Sequence, residues 1–513
     1  MTINLTKNAV NGNWAKYLPA ISGFYTVQLG KDLADPNFIP PEQIPAGFEH
    51  GIQGLDFLKT ENTYFNYGFG LFSAGHAERR LDKCDDKEPM IHKRDRSKTV
   101  IVGDSGGFQI ATGVIKIDWA NAKKPEGEKF LEEILRYLEH TADWSMTLDV
   151  PGFAGDAPYS AKTGLTRFED TLDLTVHNLH YFMKHRIPGK TKFLNVLSGS
   201  TPTNAKDWYD TVKHFSVPSS VAEMGYSTDR TLEGWAFAGI NTKHMPTVLN
   251  RILDLIDDNL LAGKDWIHVL GVGRLDWSCY LTSIKRQLQK HHNPNIDISF
   301  DAASPFVAAG GYGLLYSHNH FTPQKLTYSM SKGIDDKNLK NSKMAMPFQG
   351  PIMERMTVGD LCMLGNTDPN KNGKIGKTSW TTNSYLLAMA HNVYNHVQAV
   401  QETLRIADLE YARTQVDYRD WMHGNKGASS NISEFLPNKI LFFNNFVEVL
   451  FDPATKDPRQ MIEDNVAFLT SISFGGTKTT NFSNLFDTSD EPPSEDDLAS
   501  LDNEKMAGLE SDV

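Results

Sequence analysis

Two segments of this 513-residue chain set carboxylates where chemistry could be done. In the first, Gly103-Asp104-Ser105-Gly106-Gly107-Phe108-Gln109 follows an apolar run. Its paired glycines let the backbone turn tightly and approach a ligand. The turn presents Asp104 beside Phe108, an aromatic ring able to stack on a flat base. In the second, Asp301 ends the apolar run Ser299-Phe300 and is followed by Ala302-Ala303-Ser304-Pro305. A Gly-Gly turn is common by itself, and so is an aspartate at a strand end. As a pair the two carboxylates supply a nucleophile and an acid/base group, the two functions that exchange at a glycosidic carbon requires. Retaining glycosidases follow the same logic, with two carboxyls flanking the anomeric carbon.

Such residues need elements to hold them. Between residues 99 and 317 the chain alternates short apolar runs with longer amphipathic stretches. The runs at 99–102, 145–148, 193–197, 235–238, 267–270 and 296–300 are apolar or β-branched and lack a two-residue alternation, as strands buried on both faces do. Residues 127–142 and 245–261 carry apolar side chains at helical spacing. Strand alternating with helix predicts an α/β fold with a parallel sheet. Each run ends in a polar residue or a glycine: Asp104, Asp149, Ser198-Gly199, Gly239, Gly271 to Gly273, and Asp301. In a TIM barrel these carboxyl ends meet on the active-site face; a doubly wound open sheet would gather them over a narrower crevice. The spacing favours the barrel. Residues 384–416 read as long helices, and 435–472 as a further mixed region.

The segment 104–109 spells DSGGFQ and resembles the signature of the tRNA-guanine transglycosylase family. The resemblance continues in order through Leu148-Asp149, Leu197-Ser198-Gly199-Ser200, residues 234–240, residues 268–273 and Phe300-Asp301, with an echo at His391-Asn392. It covers roughly residues 95–310 and implies a modified TIM (β/α)8 barrel with insertions and a C-terminal, mainly helical extension. The implied layout is a barrel with an N-terminal elaboration over 1–395, the extension over 396–480 and an acidic tail over 481–513. The resemblance also assigns roles. Asp301 is the nucleophile that attacks C1′ of the target nucleotide, and Asp104 is the general acid/base. Asp149 reads the N1–H and amine edge of the purine, and the amides of Gly239 and Ile240 face its carbonyl oxygen. Phe108 and Leu270 sandwich the ring, while Ser105, Gly106, Gly107, Gln109, Ser198, Gly199 and Gly271 complete the substrate pocket. The substrates implied are nucleic acid and a 7-deazaguanine base. A target in a duplex must leave the helical stack. No ATP or redox cofactor is implied, and no phosphate-cradle motif of the Walker type is seen.

The chain departs from the family in ways that bear on metal and substrate. The family's zinc is held by three cysteines and a histidine, but the matching stretch here keeps Cys362 and His391, with Asp360 nearby and Gly365 at the last cysteine. A structural zinc normally takes four protein ligands, so none is expected at this place. Ser198 stands where the family has glutamine. The basic segment that follows the nucleophile and contacts tRNA is replaced by small and apolar residues at 302–311. These departures resemble the phage and bacterial DNA 7-deazaguanine transglycosylases, which favours DNA over tRNA. Three alternatives stay open at this level: a tRNA enzyme with a degenerate zinc site, a non-catalytic transglycosylase-like subunit that binds nucleic acid, and an unrelated barrel glycosidase. A homo-oligomer or an accessory protein is compatible with the same residues.

Composition sets the outer bounds. The net charge is −12, but residues 481–513 hold ten acidic residues and one lysine, so the rest of the chain is close to neutral. An acidic total of this kind does not exclude nucleic-acid binding, because local basic stretches can form a contact surface. The two richest, residues 92–98 and 285–292, are expected to be solvated surface charge. The acidic, proline-containing tail is expected to be disordered. No run of eighteen apolar residues occurs, so no membrane span is expected, and the start of the chain has no apolar signal core. Cys84, Cys279 and Cys362 lie far apart, which fits reduced thiols and a cytoplasmic setting.

Overall fold

A computed structural model describes residues 2–112, 122–369, 373–413 and 435–473. Its centre is an eight-stranded parallel sheet flanked by helices. In chain order the strands are β1 (Lys16–Pro19), β2 (Phe69–Ser73), β3 (Val100–Asp104), β4 (Trp144–Met146), β5 (Lys192–Leu197), β6 (Gly234–Phe237), β7 (Trp266–Val269) and β8 (Asp297–Ala302). Each pairs in parallel with its sequence neighbour from β2 to β8, and β8 pairs in parallel with β1. The two edges approach through a single bridge between Ala20 and Leu71, where the Ile21 N–H donates to the Leu71 carbonyl at 2.9 Å. The sheet is thereby nearly closed into a TIM-like barrel.

The longer helices between strands are α1 (Gly23–Ala34), α2 (Pro125–Thr141), α3 (Phe168–His185), α4 (Pro202–Val212), α5 (Met245–Asp257) and α6 (Leu275–His291). They cover the outer face, so the strands are buried on both sides and carry near-continuous apolar runs. The helices expected at 127–142 and 245–261 are α2 and α5. Proline opens or nearly opens α2, α4 and α5, where its missing N–H costs no helical bond.

After β8 the chain forms α7 (Ser304–Tyr312), a hairpin of β9 (Leu314–Phe321) and β10 (Leu326–Lys332), and the long helix α8 (Thr382–Arg413). Helix α8 packs on α6, α7 and β9, and α9 (Asn438–Leu450) packs on α6. Residue 395, where the sequence layout ends its barrel, lies within α8. The acidic tail at 481–513 lies outside the described residues. Among the described residues no helix is long and apolar enough to cross a membrane, and the three cysteines are free and buried.

The two basic stretches are less solvated than expected. Lys285 is buried, lies 2.9 Å from Asp297 Oδ1 and donates to the Trp14 carbonyl; burial pushes its ammonium down to about 8. Asp297 also pairs with Lys16 from β1. In the other stretch the side chains of His92 and Arg94 are fully buried, and Arg94 reaches Asp143 at 2.7 Å. Lys93, Arg96 and Lys98 of this stretch face water. A charge run in sequence does not distinguish solvated lysines from cations that tie the amino end of a barrel together.

Candidate active site

Because all eight strands are parallel, their carboxyl ends form one rim. Asp104 is the last residue of β3, Asp301 is the penultimate residue of β8, and Asp149, Ser198-Gly199, Gly239 and Gly271 lie within three residues past the ends of β4, β5, β6 and β7. The structure brings this set together through contacts between neighbouring strand ends.

Asp104 is held from β2. Register pairs Ser73 with Asp104, and Ser73 Oγ donates to Asp104 Oδ2 at 2.5 Å. The Gly106 N–H also donates to this carboxylate. Gly106 has φ +84°, and a Cβ there would stand 2.8 Å from Gly75 Cα. Both facts require glycine at this turn. Gly107 lets the loop press on the next strand end, since its Cβ would lie 2.6 Å from the Asp149 carbonyl oxygen. Ser105 is buried and donates to the Thr147 carbonyl at 3.2 Å, so its side chain fastens this turn to the end of β4. Gln109 Nε2 lies 3.1 Å from His76 Nε2, while its buried Oε1 has no hydrogen-bond partner. Phe108 is half-buried with its ring 5.7 Å from that of Phe153. Leu270 is half-buried across the rim.

Asp301 is held from β7. The Gly271 N–H donates to Asp301 Oδ1 at 2.8 Å, and His268 Nε2 lies 3.2 Å from the same oxygen. Register pairs His268 with Ser299, and His268 Nδ1 lies 2.8 Å from Ser299 Oγ. Trp266 Nε1 donates to that hydroxyl at 2.8 Å. An indole N–H can only donate, so Ser299 Oγ accepts from Trp266, and its remaining lone pair or its proton serves His268 Nδ1. His268 Nε2 is buried on the side of Asp301 and makes no hydrogen bond among the described residues. Trp266, Ser299 and His268 thus form a buried relay behind one carboxylate oxygen.

The amides divide differently from the expectation. Ile240 donates its N–H to the Gly199 carbonyl at 2.9 Å, so that amide is spent within the rim. The Gly271 amide serves Asp301. Gly239, exposed and with φ +59°, makes no hydrogen bond through its N–H among the described residues. Its Cβ would clash with Gly199 O at 2.3 Å, and a Cβ on Gly199 (φ +133°) would stand 2.6 Å from the Ala205 amide nitrogen. These two glycines allow the ends of β5 and β6 to touch. Ser198 is buried beside them.

Burial and neighbouring charge raise the proton affinity of two of the rim carboxyls, Asp104 and Asp149. Burial pushes Asp104 above the usual carboxylate range; the Ser73 and Gly106 donors oppose that, and the charge of Asp301 adds to it. Burial pushes Asp149 up to about 7, and the charge of Asp104 adds to it. Burial also lowers His76 to about 4, which keeps it neutral beside Gln109. The rim therefore offers a carboxyl whose proton affinity is raised, a second that titrates near neutrality, and a third carboxyl held by a backbone amide. That combination can donate a proton, read a hydrogen-bonding edge and attack an electrophilic carbon.

Ser73, His76 and His268 are the contributors without an assigned role in the sequence reading. The signal that finds Ser73 and His268 is strand register, since residues level on adjacent parallel strands point the same way. The remnants of the family's zinc set are engaged elsewhere. Cys362 Sγ donates to the Ile334 carbonyl at 3.2 Å, His391 Nε2 lies 2.8 Å from the Tyr316 carbonyl, and Asp360 caps a short helix by accepting from Thr357. A cleft lined by Leu29, Gln53, Met90 and Lys98 lies by the amino end of β3 and includes none of the rim residues. No protein-family model matches the chain, and no curated protein matches it.

Proposed function

We propose that the protein is a guanine transglycosylase that exchanges guanine in DNA for a 7-deazaguanine base. The observation that carries this reading is the coupled carboxylate set: Asp301 pinned by the Gly271 amide, with Asp104 and Asp149 both raised at the same rim. The reading assigns each group a step. Asp301 attacks C1′ while the C1′–N9 bond breaks, and the proton of Asp104 passes to the departing guanine. The incoming base gives its N9 proton to Asp104 and attacks C1′, and Asp301 leaves as a carboxylate. One glycosidic bond replaces another, so no external energy source enters the balance. The Gly271 N–H donating to Asp301 Oδ1 keeps that oxygen occupied, which leaves Oδ2 to act as nucleophile.

Asp149 suits the N1–H and amine edge of a guanine-type base, because a carboxylate accepts two hydrogen bonds side by side. The free Gly239 amide and the unpartnered Gln109 Oε1 offer a further donor and acceptor. DNA is favoured over tRNA by the segment after the nucleophile. Helix α7 is apolar, with residues 304–310 buried, and it presents no cation to a polynucleotide.

The test is base exchange by mass spectrometry. The protein is incubated with 7-cyano-7-deazaguanine and either duplex DNA or a tRNA transcript, and the polymer is digested to nucleosides. Modified deoxynucleoside is the expected product. Modified ribonucleoside alone would move the chain to the tRNA enzymes, and no product from either polymer would overturn the catalytic reading.

A further inference from the structure

At the amino end of the barrel, away from the rim, four metal-ligating side chains converge. Cys84 and Asp85 lie on the helix Leu81–Lys87, His92 ends the helix Pro89–His92, and His140 is in the last turn of α2. Their ligand atoms all lie within 4.8 Å of one another. His140 Nε2 is 2.7 Å, Cys84 Sγ 3.7 Å and His92 Nδ1 3.8 Å from Asp85 Oδ1. A tetrahedral ion with bonds of about 2.0–2.3 Å has ligand–ligand edges of roughly 3.3–3.8 Å. Two of the distances, 3.7 and 3.8 Å, match that edge, the 2.7 Å contact is a hydrogen bond that an ion would replace, and the whole set lies within 4.8 Å.

An independent observation concerns His92. Its side chain is fully buried, and Nε2 lies 3.4 Å from Glu88 Oε2. Glu88 is itself buried and is held by the Tyr137 hydroxyl at 3.3 Å and the Glu78 amide at 3.0 Å. A carboxylate behind one ring nitrogen puts the proton on that nitrogen and leaves the other as the acceptor, the arrangement that supports metal-bound histidines. The other nitrogen, Nδ1, is buried without a hydrogen-bond partner and faces the cluster. An orphaned acceptor aimed at a carboxylate and a thiol is costly unless a cation lies among them.

We propose that Cys84, Asp85, His92 and His140 form a structural zinc site. One sulfur, two imidazole nitrogens and one carboxylate oxygen match the borderline-soft donor preference of Zn2+. Binding releases the thiol proton of Cys84 to solvent. The half-exposed Asp85 and His140 give the ion a path in. The site lies at the amino ends of β3 and β4, the face of such barrels that serves stability. The ion ties two short outer helices to α2. The site shares no residue with the Cys362 and His391 pair, and it does not depend on the base-exchange reading.

The test uses the full chain, stripped with a chelator and titrated with ZnCl2 or CoCl2. We expect one zinc per chain by plasma mass spectrometry, a thiolate-to-cobalt charge-transfer band, and a thermal midpoint that rises with zinc. Cys84→Ser should remove the band, and Asp85→Asn, a partly exposed change that keeps the fold testable, should lower affinity at least tenfold. Glu88→Gln should weaken binding by about 10–100-fold. Cys362→Ser should leave stoichiometry and spectrum unchanged. No stoichiometric uptake, or a cobalt band that survives Cys84→Ser and vanishes in Cys362→Ser, would overturn the assignment.

Discussion

Replacing Asp149 with asparagine should stabilise the protein, and by an amount that depends on pH. Asp149 is buried, 8% exposed, with its carboxyl pushed up to about 7 by desolvation and by Asp104. The folded chain therefore holds this proton more tightly than the unfolded chain, whose carboxyl titrates near the ordinary 3.8. The contribution of the group to stability is full below about pH 4 and is lost as pH rises through about 7. A pKa raised by about three corresponds to about 4 kcal/mol at 1.36 kcal/mol per pKa unit. Asparagine has nearly the same shape and cannot ionise. The advantage of Asp149→Asn over wild type should then be about 1 kcal/mol at pH 4.5, about 3 kcal/mol at pH 6 and about 4 kcal/mol at pH 8. Part of this belongs to the pair, so Asp104→Asn and Asp149→Asn should combine to less than their sum. Urea unfolding followed by tryptophan fluorescence at pH 4.5, 6 and 8 reads the difference as a shift in midpoint at constant slope. A pH-independent difference, or a variant less stable than wild type at pH 8, would refute the argument that this carboxylate is kept at the rim against a desolvation cost.

Further outcomes follow from the same geometry. Asp301→Asn should abolish covalent capture of DNA while the thermal midpoint stays within a few degrees of wild type; wild-type exchange by this variant would sink the nucleophile assignment. Gly107→Ala sets a Cβ 2.6 Å from the Asp149 carbonyl and must displace one strand end; a misplacement of about 1 Å should lower the exchange rate on the order of 100-fold, and an unchanged rate would show that the two loops move independently. Asp297→Asn leaves Lys16 and buried Lys285 without their shared anion, and denaturant midpoints should report a loss of about 3–5 kcal/mol. The KM for the incoming base should rise as pH falls below about 7, because protonated Asp149 can no longer accept two hydrogen bonds; a flat profile from pH 5.5 to 8 would remove Asp149 from base reading.

The chain announces six of the eight strands, because β3 to β8 are short apolar runs that end in glycine or a polar residue. β1 and β2 are quieter. β1 opens with Lys16 and closes with Pro19, both of which read as surface or turn, yet Lys16 is neutralised by Asp297 and Pro19 sits at the strand's carboxyl end. β2 contains Gly70, where a Cβ would stand 2.8 Å from Ile21 Cδ1, a close approach that no linear pattern reveals. The same divide holds at the site. Asp104, Asp149 and Asp301 are legible because each follows its own run. Ser73 and His268 gain meaning only from register, opposite Asp104 and Ser299. The engagement of the Ile240 amide by Gly199 depends on two strand ends touching through glycines, which is a property of closure and not of either segment.

The two ends of the barrel divide the work. At the amino end, Asp297 binds Lys16 and Lys285, Asp143 binds Arg94, and Cys84, Asp85, His92 and His140 gather around one point. There, opposite charges and complementary donors meet, and removing one member leaves its partner buried and unpaired. At the carboxyl end, like charges meet instead: burial raises Asp104 and Asp149, and the charge of Asp301 adds to the first and that of Asp104 to the second. Such an arrangement weakens the fold at neutral pH and becomes useful only when a ligand supplies what the rim lacks, namely donors for Asp149 and an electrophilic carbon for Asp301. Substitution to neutral isosteres should therefore act with opposite sign at the two ends, lowering stability around Asp297 and raising it around Asp149. A ligand that brings a donor edge to Asp149 should pull its pKa back down, and proton release on binding near pH 6.5 is the corresponding signal. Calorimetry of base binding in two buffers of different ionisation enthalpy measures that proton directly, and binding without proton release would separate Asp149 from the ligand.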